Sequence, residues 1–80
     1  MKLPRDVSGR RLGRALASFG YSCTRQKGSH MRFTTELHGQ HHVTIPDSDP
    51  IRLGTLHGIL RDIAGHHGVT MEQLLQRLKL

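Results

Sequence analysis

The chain predicts an α+β fold of order αβββα(α), with one three-stranded antiparallel sheet, its helices on one face and its other face open to solvent. Two observations predict it. Apolar residues recur at helical spacing towards the two ends: Leu12, Ala15, Leu16 and Phe19 in the first part, Leu56, Ile59, Leu60 and Ile63 in the last. Between them, residues 30–36 and 41–46 alternate apolar and polar with period two and are bounded by glycine-containing turns. Eighty residues without repeats, low-complexity stretches or a linker make a single domain, residues 1–80, with a modest core and little room for a deep pocket.

The first helix is expected over residues 8–19, with Ser8 as its N-cap and Gly20 just past its end. Arg10, Arg11 and Arg14 fall mainly off its apolar stripe, and Gly9 and Gly13 are poor helix formers within it. The first strand is Tyr21–Gln26, weakly patterned. Lys27-Gly28-Ser29 is the turn after it, with Gly28 expected at positive φ. The second strand, His30–Glu36, sets Met31 and Phe33 on one face and His30, Arg32 and Thr34 on the other. Leu37–Gln40, with Gly39, loops to the third strand, His41–Pro46. There Val43 and Ile45 face inward and His42 and Thr44 outward. Pro46-Asp47-Ser48-Asp49-Pro50 is a loop by composition. The second helix is expected over Leu53–Ala64, stopped by Gly65. That leaves His66 and His67 in a loop and His57 off the core stripe. Thr70 caps a short third helix, Gln73 completes a capping box, and Met71, Leu74, Leu75 and Leu78 supply its apolar positions.

Charge narrows the function classes. Residues 1–27 hold seven Lys or Arg against Asp6 alone, a net +6; residues 28–52 sum to −1 and residues 53–80 to +1. The whole excess therefore lies in the first third and ends at the turn before His30, which suits contact with phosphates. Cys23 is the only cysteine, so an intramolecular disulfide and a cysteine-based zinc site are excluded, and a reducing cytosol fits. No apolar run approaches the roughly 20 residues of a membrane span. No apolar segment follows the first basic residues as in a secretory signal, so the expected location is the cytoplasm.

The chemistry converges on Arg25-Gln26-Lys27-Gly28-Ser29-His30-Met31-Arg32. Histidine gives or takes a proton near neutral pH. His30 follows a basic glycine turn at a strand start, with Lys27, Arg25 and Arg32 able to neutralise a phosphate. Gly28 lets the backbone approach a phosphate, and Ser29 can bond either the backbone or a phosphate oxygen. If the apolar residues of both strands face the helices, His42 shares the open face with His30 and Arg32. Gly54 and Thr55 open the second helix, whose free N–H groups, with Arg52 beside them, could also hold a phosphate. His38, His41 and His42, three histidines in five residues, invite a zinc reading. Adjacent strand residues point to opposite faces, however, so surface loop histidines are expected and no metal site is assigned.

These residues resemble the HicA family of bacterial mRNA interferase toxins. The likeness rests on Gly20-Tyr21 and on Lys27-Gly28-Ser29-His30 with an aromatic at Phe33. It continues through Val43-Thr44-Ile45-Pro46, Leu53-Gly54-Thr55-Leu56, and a tail from Gly68 to Leu75. The resemblance implies a double-stranded-RNA-binding-like fold and an endoribonuclease toxin of a type II toxin–antitoxin system. It implies cleavage of mRNA by a single catalytic histidine, matched by His30, without a metal or other cofactor. It also implies a HicB-type antitoxin that covers the active face and through which the toxin mainly oligomerises. The RNA-binding residues expected beside His30 are Arg25, Lys27, Gly28, Ser29, Arg32 and His42. Two rival readings stay open: a non-catalytic RNA-binding module of the same fold, and a histidine-rich metal-binding or regulatory protein.

Overall fold

A computed structural model describes residues 2–80. Helix α1 spans Gly9–Ala15, and its last turn tightens into a 3-10 turn over Leu16–Phe19. Strands β1 (Ser22–Lys27), β2 (His30–Thr35) and β3 (His41–Pro46) form one antiparallel sheet in the order β1-β2-β3. Helices α2 (Leu53–His67) and α3 (Met71–Leu78) complete the chain. The α+β class and the αβββα(α) order hold.

Local chemistry explains each boundary. The Ser8 side chain accepts the Arg11 N–H, and Gly20 ends the 3-10 turn at φ +80°. Thr70 accepts from the Gln73 amide while the Gln73 side chain accepts from the Thr70 amide, which is the expected capping box. The two poorly helix-forming glycines of α1 are contact residues. A Cβ at Gly13 would stand 2.4 Å from the Phe33 ring, and one at Gly9 would overlap the Pro46 carbonyl. Small residues there let α1 lie directly on the sheet.

The core is one cluster in which Leu12, Leu16 and Phe19 meet Phe33, Val43 and Ile45 of the sheet and Leu56, Leu60, Ile63 and Leu74 of the helices. Thr35, also buried, donates to the Phe19 carbonyl and accepts from the Leu37 amide, so its hydroxyl is satisfied. All three aromatic rings, Phe19, Tyr21 and Phe33, are buried.

Two expectations need correction. Lys27 belongs to β1, and the hairpin turn is Gly28-Ser29 alone, with Gly28 at φ +58°. Gly65 does not stop α2. The helix runs one turn further and ends at Gly68, whose φ of +65° supplies the left-handed residue a helix end favours. His66 and His67 are therefore helical and not loop residues. His67 continues the stripe of Leu60 and Ile63 and is buried.

Loop and helix are joined at one further point. Arg10 donates Nε and Nη2 to the two Asp47 carboxylate oxygens at 3.1 and 2.9 Å. These bonds and the carboxylate charge raise the Arg10 pKa above its ordinary value. The Gly9 amide donates to the Ser48 carbonyl at 2.9 Å, and the Asp47 amide to the Ser29 carbonyl at 2.6 Å.

Candidate active site

The sheet register decides which candidate residues meet. Directly opposed residues share a face, and the β1–β2 pairs are Lys27 with His30, Gln26 with Met31, and Arg25 with Arg32. Met31 is buried, so Arg25, Lys27, His30 and Arg32 stand together on the open face, and all four are exposed. A bulge between Cys23 and Arg25 makes this possible. Tyr21, Arg25 and Lys27 are all odd-numbered, and strict period two would set them on one face. The extra residue, Thr24, reverses the alternation, so Tyr21 enters the core while Arg25 and Lys27 face outward.

His30 also lines an open cleft of about 450 Å³ where the sheet face meets the loop after β3. The other walls include Thr44, Pro46, Ser48, Arg52 and Thr55. The start of α2 therefore lines the same cleft as the histidine. Arg52, the residue at the helix N-cap, makes no side-chain capping bond there. Gly28 and Ser29 form the turn immediately before His30, and the added Cβ that Gly28 lacks would meet nothing within 4 Å. At this position glycine serves the backbone angle and leaves open space above the turn.

His42 is on the same face but not beside His30. Its cross-strand partner is Thr34, whereas His30 lies opposite Pro46. Four residues of strand, about 13 Å at roughly 3.3 Å each, separate His42 from the His30 rung. His42 is held by its own chain of bonds: its Nδ1 lies 2.8 Å from the Thr34 hydroxyl, which lies 2.8 Å from the Thr24 hydroxyl. The bulged residue thus orients a histidine two strands away.

Four of the five remaining histidines, all but His57, form a second cluster. Within it His41 and His67 touch Tyr21 while His38 and His66 pack on those two, where simple surface loop residues were expected. The Tyr21 hydroxyl lies 2.7 Å from His41 Nδ1 and 3.0 Å from His67 Nε2. His41 Nε2 donates to Asp62 at 3.2 Å, and the Nδ1 atoms of His38 and His67 are 3.0 Å apart. His66 donates to the Leu37 and Gly39 carbonyls and stacks on His41 at 4.3 Å. With Asp62 ionised and the imidazoles neutral, one hydrogen arrangement satisfies every bond. Asp62 only accepts, so His41 carries its hydrogen on Nε2 and accepts from Tyr21. Tyr21 in turn accepts from His67 Nε2–H, and His67 Nδ1 accepts from His38. Burial pushes the His67 pKa down to about 4, helped by His66, His38, His41 and Arg77. Burial and then the Asp62 charge push Tyr21 up to about 12. Among the described residues, no group of three or more His, Cys, Asp or Glu side chains is arranged to hold a metal ion.

The fold and site therefore define a small basic α+β protein with an exposed histidine in a cleft at the rim of a cationic sheet face. The family model for the HicA toxin of bacterial toxin-antitoxin matches residues 9–64, from the first residue of α1 into α2. The chain belongs to the HicA toxin family of bacterial toxin–antitoxin systems. The match includes His30 and its basic neighbours, and stops before His66, His67 and α3. No curated protein and no solved structure matches the chain. No described helix is long and apolar enough to cross a membrane.

Proposed function

We propose that this protein is an endoribonuclease toxin that cleaves mRNA with His30 as its catalytic acid/base, and that a HicB-type antitoxin neutralises it. One observation carries the reading: His30 opens onto a cleft while sharing its sheet face with Arg25, Lys27 and Arg32. Membership of a toxin family supports it. RNA supplies its own nucleophile. The 2′-oxygen attacks the adjacent phosphorus as its proton leaves, the bond to the 5′-oxygen breaks, and that oxygen takes up a proton. The products are a 2′,3′-cyclic phosphate and a free 5′-hydroxyl. His30 serves one proton step as general acid or base. Lys27, directly across the ladder, and Arg52, across the cleft, meet the charge that builds on the phosphorane. The second proton group is Lys27 or water rather than His42, whose position is about 13 Å away along the sheet. Gly28, Ser29, Arg25, Arg32 and His42 bind RNA along the open face, largely through its backbone. No cofactor takes part in this scheme. An mRNA substrate puts the protein in the cytoplasm, and an antitoxin covering this basic face is expected to be acidic and to drive assembly.

The test is cleavage of a defined transcript in excess EDTA by the native protein and by His30→Ala, with folding matched by circular dichroism. The expected result is at least a hundredfold loss of cleavage in the variant, with RNA affinity within a few-fold of native. Binding without cleavage by either protein would overturn the enzyme and leave an RNA-binding module. Cleavage abolished by EDTA in the native protein would overturn the metal-free chemistry.

A further inference from the structure

We propose that Arg10 and Asp47 are positioning residues for His30, their paired side chains holding the loop after β3 so that the Asp47 amide pins the end of the sheet where the histidine stands. The inference rests on the cleavage reading above.

The argument begins at the sheet. His30 is the first residue of β2 and lies opposite Pro46, the last of β3. Proline has no N–H to give. The last cross-strand bond comes from the next residue, Asp47, whose amide donates to the Ser29 carbonyl. That bond and the tight Gly28-Ser29 turn bracket the His30 backbone. Asp47 is itself outside the strand, in the loop between β3 and α2. Its carboxylate is gripped at both oxygens by Arg10, and a planar fork on a carboxylate fixes orientation as well as distance. The neighbouring Ser48 carbonyl accepts from the Gly9 amide, and the missing side chain of Gly9 is what admits the Pro46 carbonyl against the helix. Helix α1 thus holds the loop through a side-chain fork and a backbone bond. The same loop supplies Pro46 and Ser48 to the His30 cleft. Pairing also removes Arg10 from the set of free cations available to RNA.

Arg10 is exposed, at 63%, and Asp47 partly so, at 27%. Exposed pairs add little to global stability, so single variants are expected to fold. The experiment measures steady-state cleavage of a defined transcript across pH for the native protein, Arg10→Ala, Asp47→Ala, Arg11→Ala and the swapped double variant Arg10→Asp/Asp47→Arg. Amide exchange at Asp47 is followed in the same proteins. Arg10→Ala and Asp47→Ala are each expected to lower kcat about tenfold with KM within twofold of native. The pH of half-maximal rate should move, and the Asp47 amide should exchange faster. The double variant is expected to recover at least half of the lost kcat. Arg11→Ala, which removes an equal charge one residue away, is expected to leave kcat and KM within twofold of native. A rise in KM without loss of kcat in Arg10→Ala would make Arg10 a phosphate contact and overturn the inference. Variants that cleave as the native protein does would overturn it while leaving the proposed function standing. Absence of cleavage by the native protein would overturn both.

Discussion

At the scale of single residues, the side chains that matter most have partners far away in the chain. Arg10 and Asp47 are 37 residues apart, and Tyr21 and His67 are 46 apart. Tyr21 is the hub of the histidine cluster. Its hydroxyl donates to His41 and accepts from His67 at once. Tyr21→Phe keeps the ring in the core but leaves His67 Nε2, buried beside Phe19, without a partner. An orphaned buried donor costs about 1–3 kcal/mol, and urea unfolding of the variant should show a loss of that size. The place of His30, exposed at a strand start, was legible because its cues are local: a basic turn, a glycine and the start of an alternating segment. The cluster was not, because it joins His38 and His41 to His66 and His67, and nothing in their spacing says that a loop, a strand start and a helix end converge. A signal did exist for His67, which extends the Leu60–Ile63 stripe by one more turn, but the preceding Gly65 masked it.

At the scale of elements, that glycine is the instructive case. Glycine inside a helix costs about 1 kcal/mol relative to alanine, which makes Gly65 a natural stop signal. Burial of Ala64 and His67 outweighs it, and the helix continues to a second glycine. The two glycines should respond to substitution with opposite signs. Gly65 is exposed, helical, and has open space around an added Cβ, so Gly65→Ala should stabilise by about 0.5–1 kcal/mol. Gly68 holds a left-handed angle that disfavours any Cβ, so Gly68→Ala should destabilise by about 1 kcal/mol. Thermal melts of the pair read this directly, and a stop at Gly65 would reverse both signs. Strand β1 was weakly patterned for a related reason. Its bulge breaks the period on which strand recognition depends, and every one of its residues is exposed. Strands β2 and β3, unbulged and half-buried, carry clean alternation and were placed within a residue.

At the scale of the whole molecule, the histidine cluster couples stability to pH. His67 has an ordinary unfolded pKa of 6.5 and a folded value pushed down to about 4. Below 6.5 the unfolded chain takes up a proton that the folded chain refuses. Stability from this residue is therefore complete above 6.5 and is lost as pH falls towards 4. The full loss is on the order of 3 kcal/mol. The bond geometry says where it is felt: a proton on His67 Nδ1 would face the Nδ1–H of His38 at 3.0 Å, donor against donor. Chemical denaturation at pH 7, 6, 5 and 4 should show the decline, and His67→Gln should flatten it. A native protein equally stable at pH 7 and 4 would refute the coupling. The overall α+β layout was legible because two helical stripes and two alternating segments already divide the chain into layers. The packing of the loops against α1 and α2 was not.

The outer edge of β1 has a consequence for behaviour in concentrated solution. A sheet rim with unpaired amides and carbonyls is a template onto which another chain can add, the route to fibres and precipitates. This rim carries a kink at Thr24 and two cations, Arg25 and Lys27. Identical copies approaching edge to edge meet a bent strand and like charge. The features that would grip a polyanion also keep one copy from growing onto the next, so low salt should favour the dispersed protein and high salt should promote its self-association.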